Sequence, residues 1–214
     1  MIVLKVDPIH PDPDSIRQAA DAIRNGELVI FPTETVYGLA ADALDESAVG
    51  RVFEAKGRME SQPLPVQVAC VEQLARVAAN VPEAAVKLAR AFWPGPLTLV
   101  LEKAESSSDL VTGATGKVGV RVPDHPVALA LLRELGTPIV ASSANRSGEP
   151  PARNGEDAIR QLGGSVAVVL DSGESAIGVA STVVDVTVDP PVILRRGAIT
   201  DRQIEKALKE RENG

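Results

Sequence analysis

Strand-like apolar runs and amphipathic helical stretches alternate along this chain, but not one for one. Residues 28–31 are followed by a second apolar run at 36–41 with only Pro32-Thr33-Glu34-Thr35 between them, and 182–186 by 192–194 with no helical stretch between. Neighbouring parallel strands need a long crossover, usually a helix, so these pairs argue against a strictly parallel sheet. The pattern predicts an α/β chain of the α+β type: a mixed, twisted sheet with flanking helices, in one open domain over residues 1–214. Aromatic residues make up only 2% of the chain, so Val, Leu, Ile and Ala must build the core.

Helical spacing and breakers place the remaining elements. Ile16, Ala19, Ala20 and Ile23 share one helical face, with Asp14 and Ser15 offering caps and Gly26 a stop. Further helices are expected at 45–55, 71–79, from Pro82 to the Trp93-Pro94 break, at 126–135 and at 154–162, with a last one introduced by a Thr200/Gln203 capping box. Strands are expected at 2–6, 64–69, 97–101, 118–122, 139–141 and 166–170, besides the two pairs above. The polar stretch 104–116, with Ser106-Ser107-Ser108 and two glycines, reads as a mobile surface loop.

A net charge of −7 and a pI near 5.0 weigh against a broad basic face for nucleic acid, though they leave room for a local basic pocket. Cys70 is the single cysteine, so no intrachain disulfide forms, and with only His10 and His125 a His/Cys metal site is not expected. No apolar run approaches the ~20 residues that cross a bilayer, and the first residues carry no signal-peptide run. The expectation is a cytoplasmic protein with no membrane contact. The chain lacks a Gly-x-x-x-x-Gly-Lys phosphate loop, a Gly-x-Gly-x-x-Gly turn and a Gly-x-Ser-x-Gly elbow. No histidine adjoins Ser142 or Ser143, so a serine nucleophile would lack its base.

Two short motifs carry most of the chemistry. Lys56-Gly57-Arg58 follows a helix, where cations complement the helix dipole, but a Lys-x-Arg pair also suits phosphate. Ser143-Ala144-Asn145 follows a strand, where Ser and Asn either close a turn or offer hydrogen bonds to a ligand. Thr33, Glu34 and Thr35 sit between two apolar strands, forming either a turn or a cavity mouth. Arg121, inside an apolar strand, must reach solvent or meet an anion, and Arg195 raises the same question.

Together with Pro32-Thr33-Glu34-Thr35-Val36-Tyr37-Gly38-Leu39, Trp93-Pro94-Gly95-Pro96-Leu97-Thr98, Gly119-Val120-Arg121-Val122-Pro123 and Ser181-Thr182-Val183-Val184-Asp185, these motifs resemble the threonylcarbamoyl-AMP synthase (YrdC-like) family from about residue 14 to 199. The resemblance implies an open domain with a deep concave cavity that makes threonylcarbamoyl-adenylate and pyrophosphate from L-threonine, bicarbonate and ATP. The product serves modification of an adenosine in tRNA, through a downstream tRNA-modifying transferase complex, with room for a weak tRNA contact. It further implies that Lys56, Arg58, Gln62, Lys117, Ser143, Asn145, Pro151 and Arg195 hold ATP, with Lys56 and Arg58 catalytic. Thr35, Gln67, Arg121, Ala141 and Ser181 would hold L-threonine, with Arg121 on its carboxylate. Mg²⁺ would arrive on the phosphates, without a dedicated protein metal site. Many relatives carry Asn at Gln62 and His at Gln67, and the chain resembles the family's short form. Two rival readings are a non-enzymatic nucleotide- or RNA-binding module of the same fold and a carbamoyl-transfer domain of the hydrogenase-maturation type.

Overall fold

The computed structural model describes residues 1–209. Eleven strands form one sheet: β1 (Ile2–Lys5), β2 (Val29–Phe31), β3 (Gly38–Asp42), β4 (Val66–Gln67), β5 (Ala78–Asn80), β6 (Leu97–Lys103), β7 (Lys117–Arg121), β8 (Ile139–Ser143), β9 (Val168–Asp171), β10 (Thr182–Asp185) and β11 (Val192–Arg195). Their order is β1-β9-β2-β3-β8-β4-β7-β6-β10-β11, with β5 pairing to β6. Parallel pairs (β1/β9, β2/β9, β4/β7, β6/β10) mix with antiparallel ones (β2/β3, β3/β8, β4/β8, β6/β7, β10/β11), as the helix-free strand pairs require. The helices are α1 (Pro13–Arg24), α2 (Glu46–Lys56), α3 (Glu83–Phe92), α4 (Asp109–Thr112), α5 (Pro126–Leu135), α6 (Gly155–Leu162) and α7 (Asp201–Lys209). Among the described residues no helix is long and apolar enough to cross a membrane.

Alternation along each strand sends successive side chains to opposite faces. Ile30, Leu39, Val66, Leu97, Leu99, Leu101, Val118, Val120, Val140 and Val184 share one apolar cluster with α2, α3, α6 and α7. On the other face Val29, Phe31, Ala40, Ile139, Ala141, Val168 and Leu170 pack with α1 and α5. That second cluster takes residues from β2, β3, β8 and β9 but none from β4, β6, β7 or β10. The alternate residues of those four strands, including Gln67, Thr98, Val100, Gly119, Arg121, Val183 and Asp185, line a cavity instead. Away from its edge strands the sheet is thus covered by helices on one face and over only half of the other.

Several local expectations change. The N-cap of α1 is Asp12, whose carboxylate accepts from Ser15 N at 2.9 Å, with Pro13 opening the helix. Pro82 is the N-cap of α3 rather than its first residue. The helix expected at 71–79 is a 3-10 turn, Val71–Arg76, followed by β5. Leu74 is its buried residue, and Val77, the residue that follows the turn, is buried as well. The 64–69 strand is ordered as a strand only at Val66–Gln67. Nor is 104–116 a free surface loop: it contains α4, buries Val111 and Thr112, and anchors Ser107 Oγ to Val77 O at 2.9 Å. Its serines and glycines serve caps and turns, with Ser108 capping α4 and Gly113 closing it in the left-handed region. The Asn154 cap and the Thr200/Gln203 capping box form as expected.

Tyr37 links three segments that lead to the cavity. Its backbone N donates to Ala152 O at 2.9 Å, and its carbonyl accepts from Ala144 N at 2.8 Å. Its fully buried hydroxyl donates to Gly173 O at 2.7 Å and accepts from Ser172 N at 3.1 Å. Burial pushes its pKa up to about 12, which keeps the hydroxyl neutral and able to donate. Replacing Tyr37 by Phe strands two backbone groups, so a loss of about 1–3 kcal/mol is expected in denaturant unfolding. Unchanged stability would remove the hydroxyl from this clamp.

Candidate functional site

The uncovered half of the sheet and the loops at its rim enclose a cavity of about 590 Å³, the size of a site for a small ligand or cofactor. Its floor is the outward face of β6, β7 and β10, with Thr98, Val100, Gly119 and Val183. A Cβ on Gly119 would meet Thr98 Cγ2 at 3.3 Å, so glycine keeps this floor low. The turn after β2 brings Thr33 and Thr35 to the wall, and the end of β8 and the turn after it bring Ser143 and Asn145.

Of the residues expected at a site, Thr35, Arg58, Gln67, Lys117, Arg121, Ala141, Ser143, Asn145, Pro151, Ser181 and Arg195 all line this cavity. Lys56 and Gln62 do not. Lys56, at the end of α2, is 3% exposed and lies behind the wall, where its ammonium donates to Ser143 O and to Asn145 O, the latter at 2.6 Å. Gly57, left-handed at φ 59°, turns the chain so that Arg58 reaches the cavity while Lys56 stays under the 143–145 loop. Gln62 contributes its carbonyl, which faces Arg58 Nε at 3.4 Å. Sequence reading passed over Thr98 and Asp185. Both sit at the outward positions of strands whose inward positions are apolar, and that alternation was the available signal.

The cations fall into two groups. Arg121 lies 2.6 Å from the Glu34 carboxylate, so the anion it meets within the protein is a buried side chain. Its other nitrogens donate to Gly95 O at 3.1 Å and to Thr35 Oγ1 at 3.0 Å. Lys117 pairs with Asp185 at 2.8 Å. Burial raises the Asp185 carboxyl, but hydrogen bonds from Lys117 and Thr187 outweigh it and hold it below its ordinary value. Arg58 and Arg195, by contrast, donate to neutral oxygens: Arg58 to Pro63 O at 2.8 Å, and Arg195 to Ser181 O at 2.9 Å and Ser181 Oγ at 3.0 Å. Burial lowers the pKa of both, and for Arg195 the charges of Arg121 and Arg58 lower it further. A multivalent anion between them would relieve that repulsion.

Buried polar atoms without hydrogen-bond partners gather at the same place: Gln67 Oε1, Ser142 Oγ and Asn145 Oδ1 all belong to residues of the cavity wall. Such groups are uncommon in folded interiors and costly when left unpaired, which marks the cavity as a site completed by a polar ligand. Among the described residues, no group of three or more His, Cys, Asp or Glu is placed to hold a metal ion.

Relatives share this arrangement of elements. A threonylcarbamoyl-AMP synthase of Pyrococcus abyssi is 50% identical over 195 residues, covering 91% of this chain and 57% of that protein. One of Bacillus subtilis is 46% identical over 203 residues, covering 94% of this chain and 59% of that protein. The chain therefore spans a little under three fifths of the length of these curated relatives. The crystal structure of Pyrococcus abyssi Sua5 complexed with L-threonine superposes with a TM-score of 0.95 at 47% identity, covering 98% of this chain and 62% of that one. The pattern of the Sua5/YciO/YrdC family, described as telomere recombination, matches residues 21–197, and this chain belongs to that family.

Proposed function

We propose that the chain is a threonylcarbamoyl-AMP synthase, joining L-threonine, bicarbonate and ATP into threonylcarbamoyl-adenylate with release of pyrophosphate. The observation that carries this reading is the division of charge in one cavity: two uncompensated guanidinia, Arg58 and Arg195, adjoin a charge-balanced end built from Arg121, Glu34, Thr35, Gln67 and Ser181. A triphosphate suits the first part and an amino acid zwitterion the second. The names of the relatives and the threonine complex of a close structural neighbour support the same assignment.

The chemistry asks for no protein nucleophile. The threonine amine attacks carbon dioxide or bicarbonate to give a carbamate, and a carbamate oxygen displaces pyrophosphate from the α-phosphate. The protein holds the two anions in register and offsets charge growing on the phosphoryl and leaving oxygens. Arg58 and Arg195 would do this directly. Lys56 would fix the Ser143–Asn145 loop through its carbonyls and add its charge from behind. Arg121 would take the threonine carboxylate, and Gln67 Oε1, without a partner inside the protein, would accept from a ligand N–H or O–H. Mg²⁺ fits at one point: Asn145 donates both amide hydrogens, to Arg146 O and Glu149 O, and leaves Oδ1 as a free acceptor of the kind this ion prefers. Held there and on the phosphates, it would supply charge neutralisation. The product would pass to a tRNA-modifying transferase in the cytoplasm.

Purified protein is expected to release pyrophosphate from ATP only when threonine and bicarbonate are both present, and release independent of threonine would sink the proposal. Arg58→Ala is expected to lower turnover by about 10²–10³ while leaving the melting temperature near that of the parent, measured in the same assay. Burial, reinforced by Arg58, pulls Lys56 down to about 8. From behind the wall Lys56 contributes its positive charge, which is present only while the amine is protonated. Nucleotide affinity should therefore fall as pH rises through about 8, and Lys56→Met should bind more weakly with that step absent. A pH-independent affinity in the parent protein would remove Lys56 from nucleotide binding.

A further inference from the structure

Glu34 lies just outside the cavity wall. Its neighbours Thr33 and Thr35 line the cavity, whereas its own carboxylate is buried and points to Arg121. The Glu34 backbone is held as well: its carbonyl accepts from Ile177 N at 2.8 Å, in the segment that leads to Ser181. Thr33 Oγ1, bonded to Val36 O at 2.7 Å and to Thr35 Oγ1 at 2.9 Å, locks the turn that carries both groups. Arg121 is only 6% exposed, and a guanidinium so buried needs a counter-charge to stay in place. Arg58 and Arg195 donate to neutral oxygens instead, so the carboxylate distinguishes one guanidinium of the cavity from the other two.

We infer, on the basis of the function proposed above, that Glu34 is a positioning residue that selects which ligand Arg121 receives. Its carboxylate keeps Arg121 aimed at the cavity while cancelling its net charge. A zwitterionic amino acid then gains the directed hydrogen bonds of the guanidinium, and a phosphate chain gains little there and goes to Arg58 and Arg195. Glu34 therefore keeps the triphosphate and the amino acid in separate parts of one continuous cavity.

The test is Glu34→Gln in the full chain, which keeps the shape and removes the charge. Threonine KM is expected to rise about tenfold or more with ATP KM within about twofold, and added pyrophosphate should become competitive with threonine. A purely structural role would move both KM values together or lower nucleotide binding, and either result, like an unchanged threonine KM, overturns the inference. A direct titration with inorganic pyrophosphate separates this from the function proposed above. Even if the parent protein shows no threonine-dependent turnover, Glu34→Gln should bind pyrophosphate more tightly than the parent, and equal affinity would overturn the role of Glu34.

Discussion

The arrangement rests on an incomplete sandwich. One face of the sheet's central strands is apolar and covered by helices, which gives strands β4, β6, β7 and β10 a rigid anchor. Their other face receives neither α1 nor α5. Because strand side chains alternate, residues only one position from the core must then be compatible with water or a ligand, and in this chain they are Gln, Thr, Lys, Arg and Asp interspersed with Val and Gly. A floor made from sheet holds such groups more firmly than loops alone can, which favours a site whose geometry is set before ligand arrives.

Charge is placed on that floor with restraint. The cavity collects several cations in a chain of net negative charge, and the protein neutralises two of them with its own carboxylates while leaving Arg58 and Arg195 facing neutral oxygens. Their mutual repulsion and burial disfavour both charges, a condition that a polyanion relieves. Loops that would otherwise move under such stress are tied down from behind, by Lys56 under residues 143–145 and by Tyr37 between residues 144, 152 and 172–173.

Much of this was legible in the sequence because it follows from periodicity. Helix-free strand pairs required a mixed sheet, and Arg121 within an apolar strand had to reach solvent or an anion, which it finds in Glu34. The motifs at 56–58, 143–145 and 181–185 placed almost all of their expected residues around one cavity. What escaped reading depends on direction rather than spacing. Lys56 and Arg58 look equivalent as a Lys-x-Arg pair, yet the left-handed Gly57 between them sends one behind the wall and the other into the cavity. Glu34 could be read as a turn residue or as part of a cavity mouth, and its actual partner, Arg121, lies too far along the chain for spacing to reveal. Likewise the packing of α4 is long-range, so its polar composition suggested a freedom that the fold removes.

The two outermost strands carry a different consequence. β1 and β11 end the sheet order, and each leaves one side of its backbone unpaired while exposing apolar side chains: Ile2 and Val3 on β1, Val192 and Leu194 on β11. Unprotected edges of this sort invite strand addition from another molecule. Here Pro190 and Pro191 stand at the entrance to β11, Arg195 and Arg196 at its exit, and Lys5 closes β1. Proline and charged residues at the ends of an edge strand are types that disfavour strand addition, so the sequence places them where the sheet has no neighbour.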